Sequence, residues 1–182
     1  NQITAVDFNN MPKLNLIYLP DNQITTFYRD LENFVMSGSN IGFRIGLYNN
    51  PLQSFTLLNS TQAMQTEIQL SEVPEIMQVT GPIAEMFSFN SQAVVIEIPL
   101  PNILTFSVYN APNANAISTR NGAYTILHAS GVPQLEYICT DEIGGEEQII
   151  QFNFPGKSIN TLCYFMDGAA NYTAEGNIRY DG

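Results

Sequence analysis

The chain has 182 residues, of which 45% are hydrophobic and only 13% charged. That length supports one good core, and the charged share is about half the usual value of roughly 25%. Seventeen acids against six bases leave a net charge of −11, which excludes a nucleic-acid backbone as partner and disfavours an anionic membrane, since both need clustered Lys and Arg.

The bases (Lys13, Arg29, Arg44, Arg120, Lys157 and Arg179) are scattered. Asn, Gln, Ser and Thr fill the place of charge, as suits wet contacts to other copies or to sugars. No apolar run approaches the length of a membrane span, and no secretory leader is expected at the start. One domain over 1–182 is the expectation.

The first predicted element is an amphipathic α-helix near the N-terminus, about 22–36. Asp21 after Pro20 is placed to cap it. Ile24, Phe27, Tyr28, Leu31, Phe34 and Val35 recur at spacings of three and four, one apolar face. Ser37-Gly38 is a natural stop.

Beyond Gly38 the period becomes two. Ile41, Phe43, Ile45 and Leu47 face one way, and Gly42, Arg44, Gly46 and Tyr48 the other. Asn49-Asn50-Pro51 ends that strand with turn chemistry. Strand runs follow at SFTLL (54–58), 64–70, IAEMFSF (83–89), AVVIEI (93–98), ILTFSVY (103–109), AYTILHA (123–129), QLEYICT (134–140), QIIQFNF (148–154), NTLCYFM (160–166) and about 173–180. Gly81-Pro82, Pro99-Leu100-Pro101, Asn121-Gly122 and Pro155-Gly156 punctuate them. Asn110–Gly122 reads as a long polar loop, either a contact loop or a connection. No internal repeat or heptad is read. About ten short strands imply an all-β fold, a two-sheet β-sandwich of jelly-roll type flanked by the helix.

The densest chemistry is TDEIGGEEQ (140–148), a predicted hairpin with Asp141, Glu142, Glu146 and Glu147 around Gly144-Gly145. Its carboxylates are candidate calcium ligands, because a hard cation would offset like charges across a hairpin. They do not follow the EF-hand order, and a solvated tip that blocks edge pairing is the favoured reading. A glycosidase pair would need two carboxyls across a cleft, and no Trp is present to line one.

His128 is the single histidine. No G-x-S-x-G elbow accompanies it, and Cys139 and Cys163 lie in apolar strands where a thiol is inert. Those two cysteines form either a disulfide between strands or two buried thiols. Asn59 and Asn171 stand in glycosylation sequons. Most Phe are expected on inward faces, with Tyr48, Tyr109, Tyr172 and Tyr180 near strand ends. Tyr beside Asn suits either a sugar or a protein surface.

No catalytic residue and no cofactor is assigned. The leading expectation is a non-enzymatic structural or assembly protein: a virus or phage virion component (capsid, spike or tail-associated), contacting copies of itself or other structural proteins. The alternative is an extracellular adhesion or carbohydrate-binding module, with a glycan as possible partner. An enzyme would require His128 or an acid pair in a cleft. The expected location is the virion or the extracellular space.

Overall fold

The computed structural model describes residues 2–8, 10–35, 42–60, 65–81, 83–98, 100–101, 103–141 and 154–160. The described residues form thirteen strands: β1 (Leu16–Tyr18), β2 (Thr26–Asp30), β3 (Gly42–Gly46), β4 (Ser54–Leu58), β5 (Gln65–Leu70), β6 (Ile76–Val79), β7 (Ile83–Phe89), β8 (Val95–Glu97), β9 (Ile103–Tyr109), β10 (Ala116–Ser118), β11 (Ile126–Ser130), β12 (Tyr137–Cys139) and β13 (Ser158–Asn160). The strand runs expected at 54–58, 83–89 and 103–109 match β4, β7 and β9. Their arrangement differs from the expectation.

Every strand pairing among the described residues is parallel, and all but β12 with β13 join strands two places apart in the chain. β1-β3-β5-β7-β9-β11 form one six-stranded sheet. β2-β4-β6 and β8-β10-β12-β13 form the others. The chain is a β-solenoid of about five turns, not a jelly-roll sandwich. A sandwich and a solenoid share short strands that alternate in and out. They differ in whether neighbours in sequence pair or are skipped, which alternation does not encode.

A repeat is therefore present where none is legible by eye. Ala116 pairs with Val95 and with Tyr137, and Tyr137 with Ser158, a regular step of 21 residues. Earlier steps vary: Leu16 pairs with Arg44, and Glu67 with Glu85. In the first coil Leu14, Ile17, Leu19, Asn22 and Ile24 hold the spacing L-x-x-L-x-L-x-x-N-x-L of leucine-rich solenoid coils. The second keeps Ile45, Leu47, Asn50 and Leu52. Later coils place Val73, Ser91, Ala111 and Val132 where the asparagine stood.

No helix is found among the described residues, so the helix expected over 22–36 is corrected. Thr26–Asp30 is a strand with Phe27 and Arg29 inward and Tyr28 outward. Ile24, Leu31 and Phe34 are buried as a helix face would have them, while Val35 is exposed. Asp21 caps nothing. It sits in left-handed backbone (φ 57) at a corner.

Corners explain the asparagines. Asn49, Asn90 and Asn110 follow β3, β7 and β9, each with φ between 57 and 59, a region Asn tolerates better than any other residue with a Cβ except Asp. Gly131 takes the same place after β11, with φ 69. Main-chain bonds cross between coils there: Asn90 N donates to Tyr109 O at 3.0 Å, and Asn110 N to Ser130 O at 2.9 Å. The side chains also form a ladder. Asn110 Nδ2 donates to Asn90 Oδ1 (2.7 Å), Asn90 Nδ2 to Asn49 Oδ1 (3.3 Å), and Asn49 Nδ2 to Asp21 Oδ1 (2.9 Å). Asparagine is thus the corner-forming residue here, which composition reads as a wet surface.

The core runs along the axis as one cluster, from Phe8 and Ile17 through Phe43, Phe55 and Ile68 to Phe106, Ile117 and Ile138. Phe27 and Phe55 stack at 5.0 Å between successive coils. Half-buried Asn50 spans two coils: Nδ2 donates to Leu19 O (2.8 Å) and Leu47 O (2.9 Å), and Oδ1 accepts from Ile24 N (3.0 Å). The expected loop Asn110–Gly122 is corrected as well, since its centre is β10, with Ala116, Ile117 and Ser118 all buried.

Candidate functional site: the outer face of the six-stranded sheet

Parallel register stacks outward side chains in columns along the axis, about 4.8 Å apart. One column reads Leu16, Arg44, Glu67, Glu85, Thr105, Ile126. Its neighbour reads Tyr18, Gly46, Gln69, Phe87, Ser107, His128. Beside these lie Tyr48 after β3, then Phe89, Tyr109 and Ser130.

Aromatic rings concentrate in the second and third columns. Phe89 stacks on Tyr109 (5.4 Å, 17°) and on Phe87 (5.4 Å, 12°). Tyr48 tilts against Phe89 at 5.4 Å, and Tyr18 meets Tyr48 edge-on at 5.9 Å. The Tyr18 and Tyr48 hydroxyls share a short hydrogen bond. That bond, followed by burial, pushes the Tyr48 pKa up to about 12. Gly46 makes room for the row, since a Cβ there would meet Tyr18 Cδ2 at 2.6 Å. Phe87 and Phe89 depart from the expectation that Phe faces inward. The signal was available: in IAEMFSF, turning Met86 and Ser88 to the core turns both Phe out.

A polar flank borders the rings. Arg44 Nε lies 3.2 Å from Glu67 Oε2. Ser107 Oγ donates to Glu85 Oε1 at 2.9 Å. The row ends at Tyr109, where a cavity of about 290 Å³ opens beside His128, Ser130 and Phe154. His128 is exposed and pairs in register with Ser107. Ser107 is fully buried, and its hydroxyl donates a hydrogen bond to Glu85, while exposed Ser130 lines the cavity with His128.

The other sequence candidates lie apart from this face. Asp141 holds a corner: its Oδ2 accepts from Asn121 N (2.8 Å) and Gly122 N (2.7 Å) of the preceding coil. Glu142, Glu146 and Glu147 lie outside the described residues, as does the rest of the expected hairpin. Among the described residues no group of three or more His, Cys, Asp or Glu could hold a metal ion. Cys139 is disulfide-bonded, and Cys163 lies outside the described residues. Asn59 is exposed, and its Nδ2 donates to Asp30 Oδ1 at 2.7 Å. Asn171, Tyr172 and Tyr180 fall outside the described residues.

No family model, no curated protein and no solved structure matches this chain. No helix among the described residues is long and apolar enough to cross a membrane. The expectation of a virion or capsid component drew on low charge, high Asn and Gln, absent catalytic motifs and the sandwich pattern; the parallel solenoid removes the last of these, and virion and capsid terms find no support.

Proposed function

We propose that this chain is a non-enzymatic recognition module that binds a partner protein through the outer face of its six-stranded sheet. The aromatic row carries the reading. Tyr18, Tyr48, Phe89 and Tyr109 run along the axis on the side of the sheet away from the core, where burial in the fold does not require them. Tyr and Phe are enriched at interface centres; here Tyr18 is exposed, and Tyr48, Phe89 and Tyr109 are half-buried against one another on the outer face. Solenoids use such extended faces for binding, because every coil adds one strand to the same surface. The disulfide at Cys139 supports an oxidising, extracellular setting.

A paired variant, Tyr48→Ser with Tyr109→Ser, tests the reading. The wild type and the variant are compared by light scattering and on panels of extracellular proteins and glycans. A protein contact, to a second copy or to a panel member, that the variant loses while keeping its circular dichroism supports the reading. Binding to glycans alone, or protein binding that survives the variant, overturns it.

A further inference from the structure

The solenoid is under-filled at one place, and the cause is in the sequence. An inward column runs Leu47, Leu70, Ser88, Val108. Ser88 is the one polar member, and it is buried. Its hydroxyl donates to Ser71 O at 2.9 Å, which satisfies the hydroxyl but does not fill a leucine's volume. Ala93 is small as well. Glu67 pairs with Glu85, a shorter step than Glu85 to Thr105 or Thr105 to Ile126 after it, so this coil has less chain. On the far side β6 and β8 are not paired, and the second face divides there. Small side chains, a short coil and a broken sheet coincide, and a cavity of about 350 Å³ occupies the place.

Its lining is mixed, with two acids on it. Buried Ile96 and Ser88 and half-buried Val73, Ala93 and Val95 line it beside Ser71, and Glu72 and Glu97 are both exposed. Glu72 is fixed by the next coil: Oε2 accepts from Ser91 Oγ (2.8 Å) and Oε1 from Gln92 N (2.5 Å). Neither carboxylate forms an ion pair among the described residues. We propose that this cavity binds a primary alkylammonium, the group at the end of a lysine side chain or of a free diamine. The alkyl chain enters between Val73, Ala93 and Val95. The ammonium donates to exposed Glu72 and Glu97 without losing all of its hydration. The volume sits at the small end of ligand pockets, as a single unbranched chain requires. This site is separate from the aromatic face and does not depend on it.

The test is a methyl-resolved NMR titration with cadaverine, Nα-acetyl-lysine methylamide and neutral pentanol. Cadaverine or the lysine derivative is expected to shift the methyls of Val73, Ala93 and Val95, and pentanol to bind more weakly than either. Ser88→Leu restores the inward leucine and fills the cavity. It is expected to raise thermal stability and to weaken amine binding about tenfold, roughly 1.4 kcal/mol. Glu97→Gln keeps the cavity and is expected to weaken the amines about threefold with pentanol unchanged. Tighter binding of the lysine derivative assigns the group to a partner protein, and tighter binding of cadaverine to a free amine. No methyl shift with either amine overturns the proposal. So does pentanol binding as tightly as the amines, or amine affinity unchanged in Ser88→Leu.

Discussion

At the scale of single residues, the corners set the first prediction. Holding a residue other than glycine in left-handed backbone costs about 1–2 kcal/mol, and asparagine offsets this with its side-chain bonds. Asn110→Ala keeps the strained backbone and loses the bond to Asn90, so a loss of about 1–3 kcal/mol in urea unfolding is expected. Asn110→Gly relieves the strain and should recover at least half of that loss. Equal losses in the two variants would place the whole effect in the side-chain ladder.

Two titrations carry opposite signs. Tyr48 is raised from 10.0 to about 12, so the folded state favours the neutral phenol. Its contribution is whole below pH 10 and is lost as pH rises towards 12. Absorbance titration should show one late tyrosine, which moves earlier in Tyr18→Phe. Asp30 is held below its usual 3.8, chiefly by the Asn59 amide and then by Glu32 N. Its contribution is present above that value and is lost as pH falls below it. Asn59→Ala should move the midpoint of acid unfolding to higher pH.

At the scale of elements, β2 holds an unusual inward charge. Arg29 is 1% exposed; Nη2 donates to Met11 O at 2.7 Å, while Nε and Nη1 have no hydrogen-bond partner among the described residues. Burial lowers its pKa, and Asp7 and then Asp30 raise it back. A buried ion that is poorly paired is often replaced by an apolar residue at no loss. Arg29→Met is therefore expected to unfold at equal or higher urea concentration. Asp7→Asn should destabilise the wild type and leave Arg29→Met unchanged, and additive effects in that cycle would disprove the coupling.

The same element shows what was legible. Ile24, Phe27, Leu31 and Phe34 carry core character in sequence and are buried in the structure. Their spacing fits a helix, yet it also arises when a short strand is followed by a turn, and only pairing with β4 decides between them. Strands such as β4, β7 and β9 were readable because local alternation specifies them. β10 was not, since Ala116, Ile117 and Ser118 are all buried and show no in–out alternation. Tyr48 and Tyr109 were legible as surface tyrosines. Their meeting with Phe89 was not, because it depends on a register that steps unevenly along the chain.

At the scale of the whole molecule, a solenoid's stability is close to a sum of coils and nearest-neighbour interfaces. One face of the stack is interrupted where β6 and β8 fail to pair. Hydrogen exchange should therefore resolve two blocks, one ending at β6 and one beginning at β7, with different opening free energies. Ser88→Leu should bring their protection closer together, and uniform protection in the wild type would show that the break costs nothing. The asparagine ladder has a further consequence, in the ageing of the molecule. Asn49 Oδ1 accepts from Asn90, and Asn90 Oδ1 accepts from Asn110, so each amide in this row serves as donor and acceptor at once. Hydrolysis of Asn49 or Asn90 to aspartate would remove a donor and leave a carboxylate beside the next acceptor below, with Asp21 already charged at the foot of the row. Each such conversion would loosen the next corner, so chemical damage along this edge would spread from coil to neighbouring coil.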